Sequence, residues 1–336
     1  MSSQVLVTGA SGFVGAQIVT HLLAKGYRVR GTVRSIGKPS HLEALNHVEL
    51  FSADLVAEGA FDAPVSGSRC VIHTASPYTL DTKNPQRDLI DPAVNGTVNV
   101  LTACMKAGSV KRVVLTSSMA AITDEPGSDR VLTESDWNLK SSLKRNPYYY
   151  SKVCAERAAW RFMQDQKPAF DLVVINPFMV IGPSVVPSLN TSNRLFVDLL
   201  KGTYPAIFNL TWGFVDVRDV ADAHIRAIET ASANGRYIIA GETVSMRSVV
   251  ELLRSNGYRR YQLPKIGLDS GAGNIVIRLA SYLKSPGVGS YLRTHVGRVP
   301  RYDTSKARLE LGMTFRSAKQ SILETMRDLA RWGHLP

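Results

Sequence analysis

The sequence has few cysteines and no long apolar run. Cys70, Cys104 and Cys154 stand far apart and match no metal-ligand spacing, so we expect reduced thiols and no metal site. No stretch reaches the roughly 20 apolar residues of a membrane helix, and the N-terminus lacks a signal-peptide pattern. We therefore expect a cytoplasmic protein with no transmembrane segment. Its 336 residues, 44% of them apolar, suffice for a large α/β domain and a smaller lobe.

Acidic residues are scarce in the C-terminal third of the chain. Between residues 254 and 319, thirteen lysines and arginines face three acids, so this segment holds most of the net charge of +12. The excess fits a solvated basic surface, and it also fits attraction of an anionic ligand or membrane surface. No recognition motif accompanies the charge, so we expect no nucleic-acid partner.

Three glycines follow the first predicted strand. An apolar run at 5–7 ends at Thr8, and an apolar helical pattern begins after the glycines. This order is typical of a turn that binds a pyrophosphate through backbone N–H groups and the positive end of a helix dipole. The contacts predicted from this turn are Gly9, Ser11, Gly12, Phe13, Val14 and Gly15.

An arginine stands where many NAD sites have an acid. Arg34 follows the predicted strand 28–33, and no acid lies between Tyr27 and Ser40. About 20 residues past such glycines, an Asp or Glu would bind the ribose 2′-hydroxyl of NAD, whereas a guanidinium binds a 2′-phosphate. Arg34, with Lys38 close behind, therefore predicts NADP(H).

Two further loops are predicted to approach the same cofactor. The first follows a predicted strand at 48–52 and faces adenine, and the second follows a strand at 70–73 and passes the pyrophosphate and ribose. The predicted contacts are Asp54, Leu55, Thr74, Ala75 and Ser76. His73 ends a buried apolar strand, so we expect a packed, hydrogen-bonded histidine and not a catalytic one.

A tyrosine and a lysine lie one turn apart on a long predicted helix. The helix runs from Pro147 to about Gln166, and the spacing of four places Tyr148 and Lys152 on one face. A phenol has a pKa of about 10, and a nearby ammonium lowers that pKa toward the working range. Tyr148 is therefore a candidate proton donor.

Hydroxyl side chains end the fifth predicted strand, at 111–118. Thr116, Ser117 and Ser118 would lie on the ligand side of a parallel sheet, where one hydroxyl could bond a substrate oxygen. We interpret Asp124 and Glu125, which follow shortly after, as part of a loop.

Together these pieces resemble the extended short-chain dehydrogenase/reductases, specifically the group of dihydroflavonol reductases, cinnamoyl-CoA reductases and microbial carbonyl reductases. The matching positions are 8–15, 33–34, 54–55, 73–77, 116–118, 148 with 152, 176–177 and 214–221. The resemblance implies a Rossmann-type doubly wound parallel sheet with a smaller, mainly helical substrate lobe. It also implies a catalytic triad of Ser118, Tyr148 and Lys152, with Ser117 as the neighbour most easily mistaken for Ser118. The expected NADP(H) contacts then include Thr116, Tyr148, Lys152 and Pro177.

The tyrosine segment favours one substrate class. It reads Asn146-Pro147-Tyr148-Tyr149-Tyr150-Ser151-Lys152, whereas plant cinnamoyl-CoA reductases have Asn-Trp-Tyr-Cys-Tyr-Gly-Lys. We therefore expect NADPH-dependent reduction of a small aldehyde or ketone, aromatic or aliphatic, by a monomer or homodimer. A hydroxysteroid dehydrogenase, a nucleotide-sugar epimerase and a non-catalytic NADP-sensing protein remain alternatives with the same fold.

The rest of the chain is predicted to cross between two lobes more than once. We expect residues 1–176 and about 212–243 in the NADP-binding domain, with about 177–211 and 244–336 in the substrate lobe. Predicted helices cover 193–201, 217–230, 245–256 and 274–284, and a capping box from Ser317 to Gln320 opens the last. The predicted pocket rim consists of Met119, Phe178, Met179, Val180, Phe196, Tyr204 and Phe208.

Overall fold

The computed structural model describes residues 4–36, 43–77, 82–127 and 129–336. Its strands are β1 (Gln4–Thr8), β2 (Arg28–Val33), β3 (Glu49–Ser52), β4 (Cys70–His73), β5 (Arg112–Thr116), β6 (Asp171–Pro177), β7 (Met179–Ile181), β8 (Ala206–Phe208), β9 (Thr211–Asp216), β10 (Gly235–Ile239), β11 (Thr243–Ser245) and β12 (Ile266–Leu268). Seven of these form a parallel sheet in the order β10-β6-β5-β4-β1-β2-β3. The strand order reverses between β1 and β4, so their carboxyl ends flank the crevice where such sheets bind ligands.

Helices cover both faces of this sheet. Among the described residues the helices, including those of the smaller lobe, are α1 (Phe13–Ala24), α2 (Asp62–Val65), α3 (Asp91–Ala107), α4 (Pro147–Gln166), α5 (Thr191–Leu200), α6 (Val217–Glu229), α7 (Met246–Ser255), α8 (Gly271–Ala280), α9 (Pro286–His295), α10 (Ser305–Glu310) and α11 (Ala318–Arg331). Alternate residues of β1 point to opposite faces of the sheet. Val5 and Val7 pack with α1 and α6, and Leu6 packs with α3 and α4. Burial on both sides explains why the strands read as continuous apolar runs. The finding confirms the Rossmann-type fold.

A second core belongs to a smaller lobe. Two small sheets, β11-β9-β7 and β12-β8, pack there with α5, α7, α8, α9 and α11. Trp212 and Phe214 lie in this core with their rings 6.0 Å apart. Residues 212–216, expected in the NADP-binding domain, instead lie in β9, which pairs with β7 and β11 and does not join the main sheet. The segment after it, α6 and β10, does return to the large sheet.

Short helical turns extend two of the helices, α3 and α8. A π-helical turn, Gln86–Ile90, precedes α3, and the helix expected at 274–284 is α8 followed by a 3₁₀ turn, Ser281–Leu283. Ser317 caps α11, accepting the Gln320 N–H at 3.2 Å, but the Gln320 side chain bonds Glu324, so half of the predicted capping box forms. In the described part of the chain, no helix has the length and apolar content to cross a membrane.

Candidate active site

The turn after β1 requires glycine at two positions. Gly9 has φ +68°, and a Cβ on it would stand 3.1 Å from the Ala75 Cα. A Cβ on Gly15 would stand 2.2 Å from the Gly9 carbonyl oxygen. L side chains rarely adopt the first conformation, and the second contact is a clash. The turn can therefore keep its shape only with glycine here.

The N-terminus of α1 suits a phosphate. Gly12 is its N-cap and places no side chain over the first-turn N–H groups, which have no intrahelical acceptors. No acid lies in that first turn, and Ser11 and Gly12 are exposed. Backbone donors, the helix dipole and the open position of Gly12 fit the pyrophosphate of a dinucleotide.

The loop after β4 packs against this turn. The Thr74 hydroxyl donates to the Thr8 carbonyl oxygen at 2.6 Å, and the Thr8 hydroxyl oxygen accepts the N–H of Ala75 at 3.2 Å. The Thr8 hydroxyl also lies 2.7 Å from the Nδ1 of His73. Burial lowers the pKa of His73 to about 3, so the ring is neutral. The structure thus confirms that His73 is a packed, hydrogen-bonded histidine.

Helix α4 brings Lys152 to the same loop. Its side chain is buried, and Nζ donates to the Ser76 hydroxyl at 3.0 Å. The same Nζ lies 5.8 Å from the ring centre of Tyr148. Burial lowers the pKa of Lys152 to about 8, while the charge of Glu156 opposes that shift. At neutral pH the ammonium therefore persists beside the phenol.

The two serines after β5 have different surroundings. Ser117 is buried, and its hydroxyl donates to Glu156. Ser118 is half-buried; its Oγ accepts the Ala120 N–H at 3.1 Å and caps a 3₁₀ turn that packs against α4. Ser118 acts as acceptor in that bond, so its O–H still has a proton to donate. The geometry favours Ser118 over Ser117 as the substrate-facing hydroxyl.

A buried carboxylate behind these residues was absent from the sequence prediction. Glu156, with 1% of its surface exposed, lies 2.6 Å from the Arg236 guanidinium. It also accepts the Asn176 side-chain N–H at 2.9 Å, and the same amide nitrogen donates to the Ser118 carbonyl at 3.2 Å. The network thus joins α4, β6, β10 and the end of β5. Glu156 follows Lys152 by four residues, a helical spacing that indicates a shared face but not these partners.

The start of α4 is held by the smaller lobe. Its N-cap, Asn146, has φ 48° and ψ 63° and is buried. The Asn146 backbone N–H donates to Ser290 at 3.1 Å, and its side chain donates to Thr294 at 3.1 Å; both partners lie on α9. The hydroxyl of Tyr149 lies 3.2 Å from Nε2 of His295. Helix α9 therefore fixes the orientation of the tyrosine helix.

The acidic loop after β5 links segments of both lobes. Asp124 is buried and pairs with Arg145 at 2.8 Å. Glu125 pairs with Arg145 and Lys140, and with Arg298 of the smaller lobe. The ion pairs of this loop therefore connect the two lobes, which the sequence did not predict.

The remaining predicted cofactor residues that the structure describes lie at or just after the carboxyl ends of the strands. Arg34 follows β2 with an exposed side chain, while Lys38 lies outside the described residues. Asp54 is exposed, and Leu55 packs against Gly96 of α3. Thr116 bonds His224 Nε2 at 2.7 Å, so its hydroxyl already has a partner. Pro177 ends β6 and is buried.

The residues predicted at the pocket rim differ in how deeply they are buried. Phe196 has no exposed surface and packs against Phe214 in the core of the lobe, which corrects its placement at the rim. Met119 is also buried. The half-buried members are Phe178, Met179, Val180, Tyr204 and Phe208. Phe178 lies 5.6 Å, ring to ring, from Tyr302, which sequence reasoning did not select.

Comparison with known proteins gives a family match and relatives that align over most of the chain. The model of the NAD dependent epimerase/dehydratase family matches residues 5–240. The chain is 39% identical over 344 aligned positions to cinnamoyl-CoA reductase CAD2 of Medicago truncatula, covering 98% of this chain and 96% of the relative. It is 40% identical over 274 positions to tetraketide alpha-pyrone reductase 1 of Arabidopsis thaliana, covering 78% and 83%. It is also similar to the structure of yeast methylglyoxal/isovaleraldehyde reductase Gre2 complexed with NADPH, with 30% identity, a TM-score of 0.80 and coverage of 99% and 100%.

Proposed function

Because this chain belongs to the NAD dependent epimerase/dehydratase family and is an oxidoreductase of its extended short-chain reductase branch, we propose that it reduces an aldehyde or ketone with NADPH. One observation supports this above all. Lys152 lies beside Tyr148 and bonds Ser76 at 3.0 Å, on the loop that packs against the glycine turn. A proton-donating group and the phosphate-binding turn are thus connected through one short loop.

Tyr148, Lys152 and Ser118 each have a separate role in the proposed reduction. When bound, NADPH supplies the hydride that reaches the carbonyl carbon. Tyr148 gives its hydroxyl proton to the carbonyl oxygen, so the phenolic O–H bond breaks as the alcohol O–H bond forms. The Lys152 ammonium stabilises the resulting phenolate. Ser118 donates a hydrogen bond to the same oxygen, where negative charge develops during hydride transfer.

The cofactor preference rests on the end of β2. The exposed guanidinium of Arg34 follows the strand directly, at the position from which an acid would bind a ribose 2′-hydroxyl. The absence of an acid at this position removes the repulsion that a 2′-phosphate would meet. Arg34 therefore binds that phosphate in the proposed complex.

The substrate is proposed to be a free aromatic or aliphatic carbonyl compound. Half-buried apolar side chains, among them Phe178 and Met179, follow β6 at the junction of the lobes. Such a surface favours an apolar substrate over a sugar. The relatives' names include both a thioester reductase and a reductase of small aldehydes, so both classes belong in the test.

The test measures the oxidation of NADPH through its loss of absorbance. The panel consists of aromatic aldehydes, aliphatic aldehydes, ketones and a cinnamoyl-CoA thioester, each with NADPH and with NADH. We expect turnover of free carbonyls with NADPH. A preference for the thioester would overturn the substrate class alone. Binding of NADPH without turnover of any compound would overturn the reductase proposal, and epimerisation of a nucleotide sugar without net oxidation would replace it.

A further inference from the structure

An unusually apolar surface lies on the outer side of the smaller lobe. Of the fifteen large apolar side chains that are exposed in the described part of the chain, six lie within residues 275–288. This apolar face consists of Ile275, Val276, Leu279, Tyr282, Leu283 and Val288. Leu279 is 67% exposed and Leu283 is 89% exposed. Contiguous apolar surface of this kind on a folded protein marks an interaction site.

The face follows the geometry of a well-packed helix. Ile275, Leu279 and Leu283 recur every four residues and so share one side of α8 and the turn after it. On the opposite side, Ile277 is buried in the core of the lobe. A Cβ on Gly273 would stand 2.2 Å from the Leu268 carbonyl oxygen, so the helix is seated closely. Exposure of the apolar face is therefore a property of the folded lobe and not of a detached helix.

Basic side chains border this face without acids among them. Arg278, Lys284 and Arg293 lie within or beside it, and the sequence has no Asp or Glu from 270 to 302. The Arg293 guanidinium lies 4.5 Å from the ring centre of Tyr282. The acid that precedes the segment, Asp269, is paired with Arg247 at 2.6 Å. The segment that carries the apolar face thus has apolar and basic side chains and no acidic ones.

We propose that the apolar face docks this protein on an anionic membrane surface. The exposed Leu, Ile and Tyr side chains enter the boundary between headgroups and acyl chains, and the bases contact anionic headgroups. A second copy is a poorer occupant, because a two-fold interface would place the same positive residues opposite each other. The occupant that matches both the apolar centre and the charge is an anionic bilayer.

The test is co-sedimentation of the full chain with vesicles. We expect the protein to sediment with phosphatidylcholine vesicles that contain phosphatidylserine, to remain in solution with phosphatidylcholine alone, and to be released by salt. The double variant Leu279→Gln, Leu283→Gln should partition at least tenfold more weakly. Leu309→Gln is the matched control, since Leu309 is 83% exposed on α10, outside the face. Lys284→Gln should weaken binding to the anionic vesicles.

Several outcomes would overturn the proposal. These are no sedimentation with anionic vesicles, equal binding to neutral vesicles, or equal binding by the double variant and wild type. Circular dichroism of each variant establishes that it is folded, and the single variant Lys284→Gln repeats the test without altering the apolar face. If sedimentation velocity shows a wild-type dimer and a monomeric double variant, a second copy of the chain occupies the face instead.

Discussion

The Nζ of Lys152 donates a hydrogen bond to the hydroxyl of Ser76 at 3.0 Å, and this contact joins the tyrosine helix to the loop after β4. The same loop packs on the glycine turn through Thr74 and Ala75. The two halves of the proposed site are therefore held together by the protein's own side chains.

This contact predicts a pH dependence. Burial lowers the pKa of Lys152 to about 8, so the ammonium is present below that pH and is lost above it. We expect kcat/KM for reduction to fall as pH rises through about 8. Ser76→Ala removes an acceptor from the ammonium, so its pKa should fall and the alkaline limb should move to lower pH. Ser66→Ala, on an exposed turn, is the control. An alkaline limb that stays in place in Ser76→Ala would contradict the role of this contact.

Removing the phenolic hydroxyl should reduce turnover strongly. Tyr148→Phe deletes the proposed proton donor and keeps the ring, so we expect kcat to fall by about 10²–10⁴-fold with nearly unchanged NADPH affinity. The measurement pairs steady-state kinetics with fluorescence titration of NADPH. Tyr150→Phe, two residues further along α4, should retain activity. If the Tyr148 variant also retained it, another group would supply the proton.

A charge reversal at the end of β2 should change the cofactor. Arg34→Asp replaces a guanidinium by a carboxylate that repels a 2′-phosphate and can accept a ribose hydroxyl. Charged hydrogen bonds contribute about 1.5–3 kcal/mol, so the NADPH to NADH ratio of kcat/KM should fall by about 10–100-fold. Arg28→Asp makes the same charge change at the other end of the strand and should leave the ratio unaltered. An unchanged ratio in Arg34→Asp would place the 2′-phosphate elsewhere.

The buried pair of Glu156 and Arg236 should matter far more to stability than a surface pair. Glu156→Gln leaves the Arg236 charge buried without its partner, which costs about 3–5 kcal/mol of unfolding free energy. Glu229→Gln breaks an exposed pair with Lys25 and should cost at most about 1 kcal/mol. Urea unfolding measures both. Equal stability of the two variants would show that the buried network contributes little to the free energy of unfolding.

The sequence predicts the parts of this protein that depend on local signals. The bounds of β2 and α4 agree with the expected 28–33 and 147–166, because strand alternation and Pro147 at the first helical turn are local features. The pairing of β9 could not be predicted, because its partners β7 and β11 have only three residues each and show no usable periodicity.

In the candidate site, too, the features that depend on sequence neighbours could be predicted and those that depend on distant residues could not. The glycine turn, Tyr148 and Lys152 could be found from spacing, because their chemistry depends on neighbours in the sequence. The role of Glu156 could not, since Ser117, Asn176 and Arg236 reach it from three separate elements. The left-handed conformation of Asn146 likewise depends on contacts with α9.

The position of β10 has a consequence for biosynthesis. β10 begins at Gly235, whereas its neighbour β6 ends at Pro177, and the strands β7 to β9 of the smaller lobe are translated between them. While the chain emerges from the ribosome, the outer edge of β6 has no partner strand until the first part of that lobe has been made. Until β10 is made, the apolar residues along this edge are open to pairing with other chains, which is the kind of surface that chaperones cover.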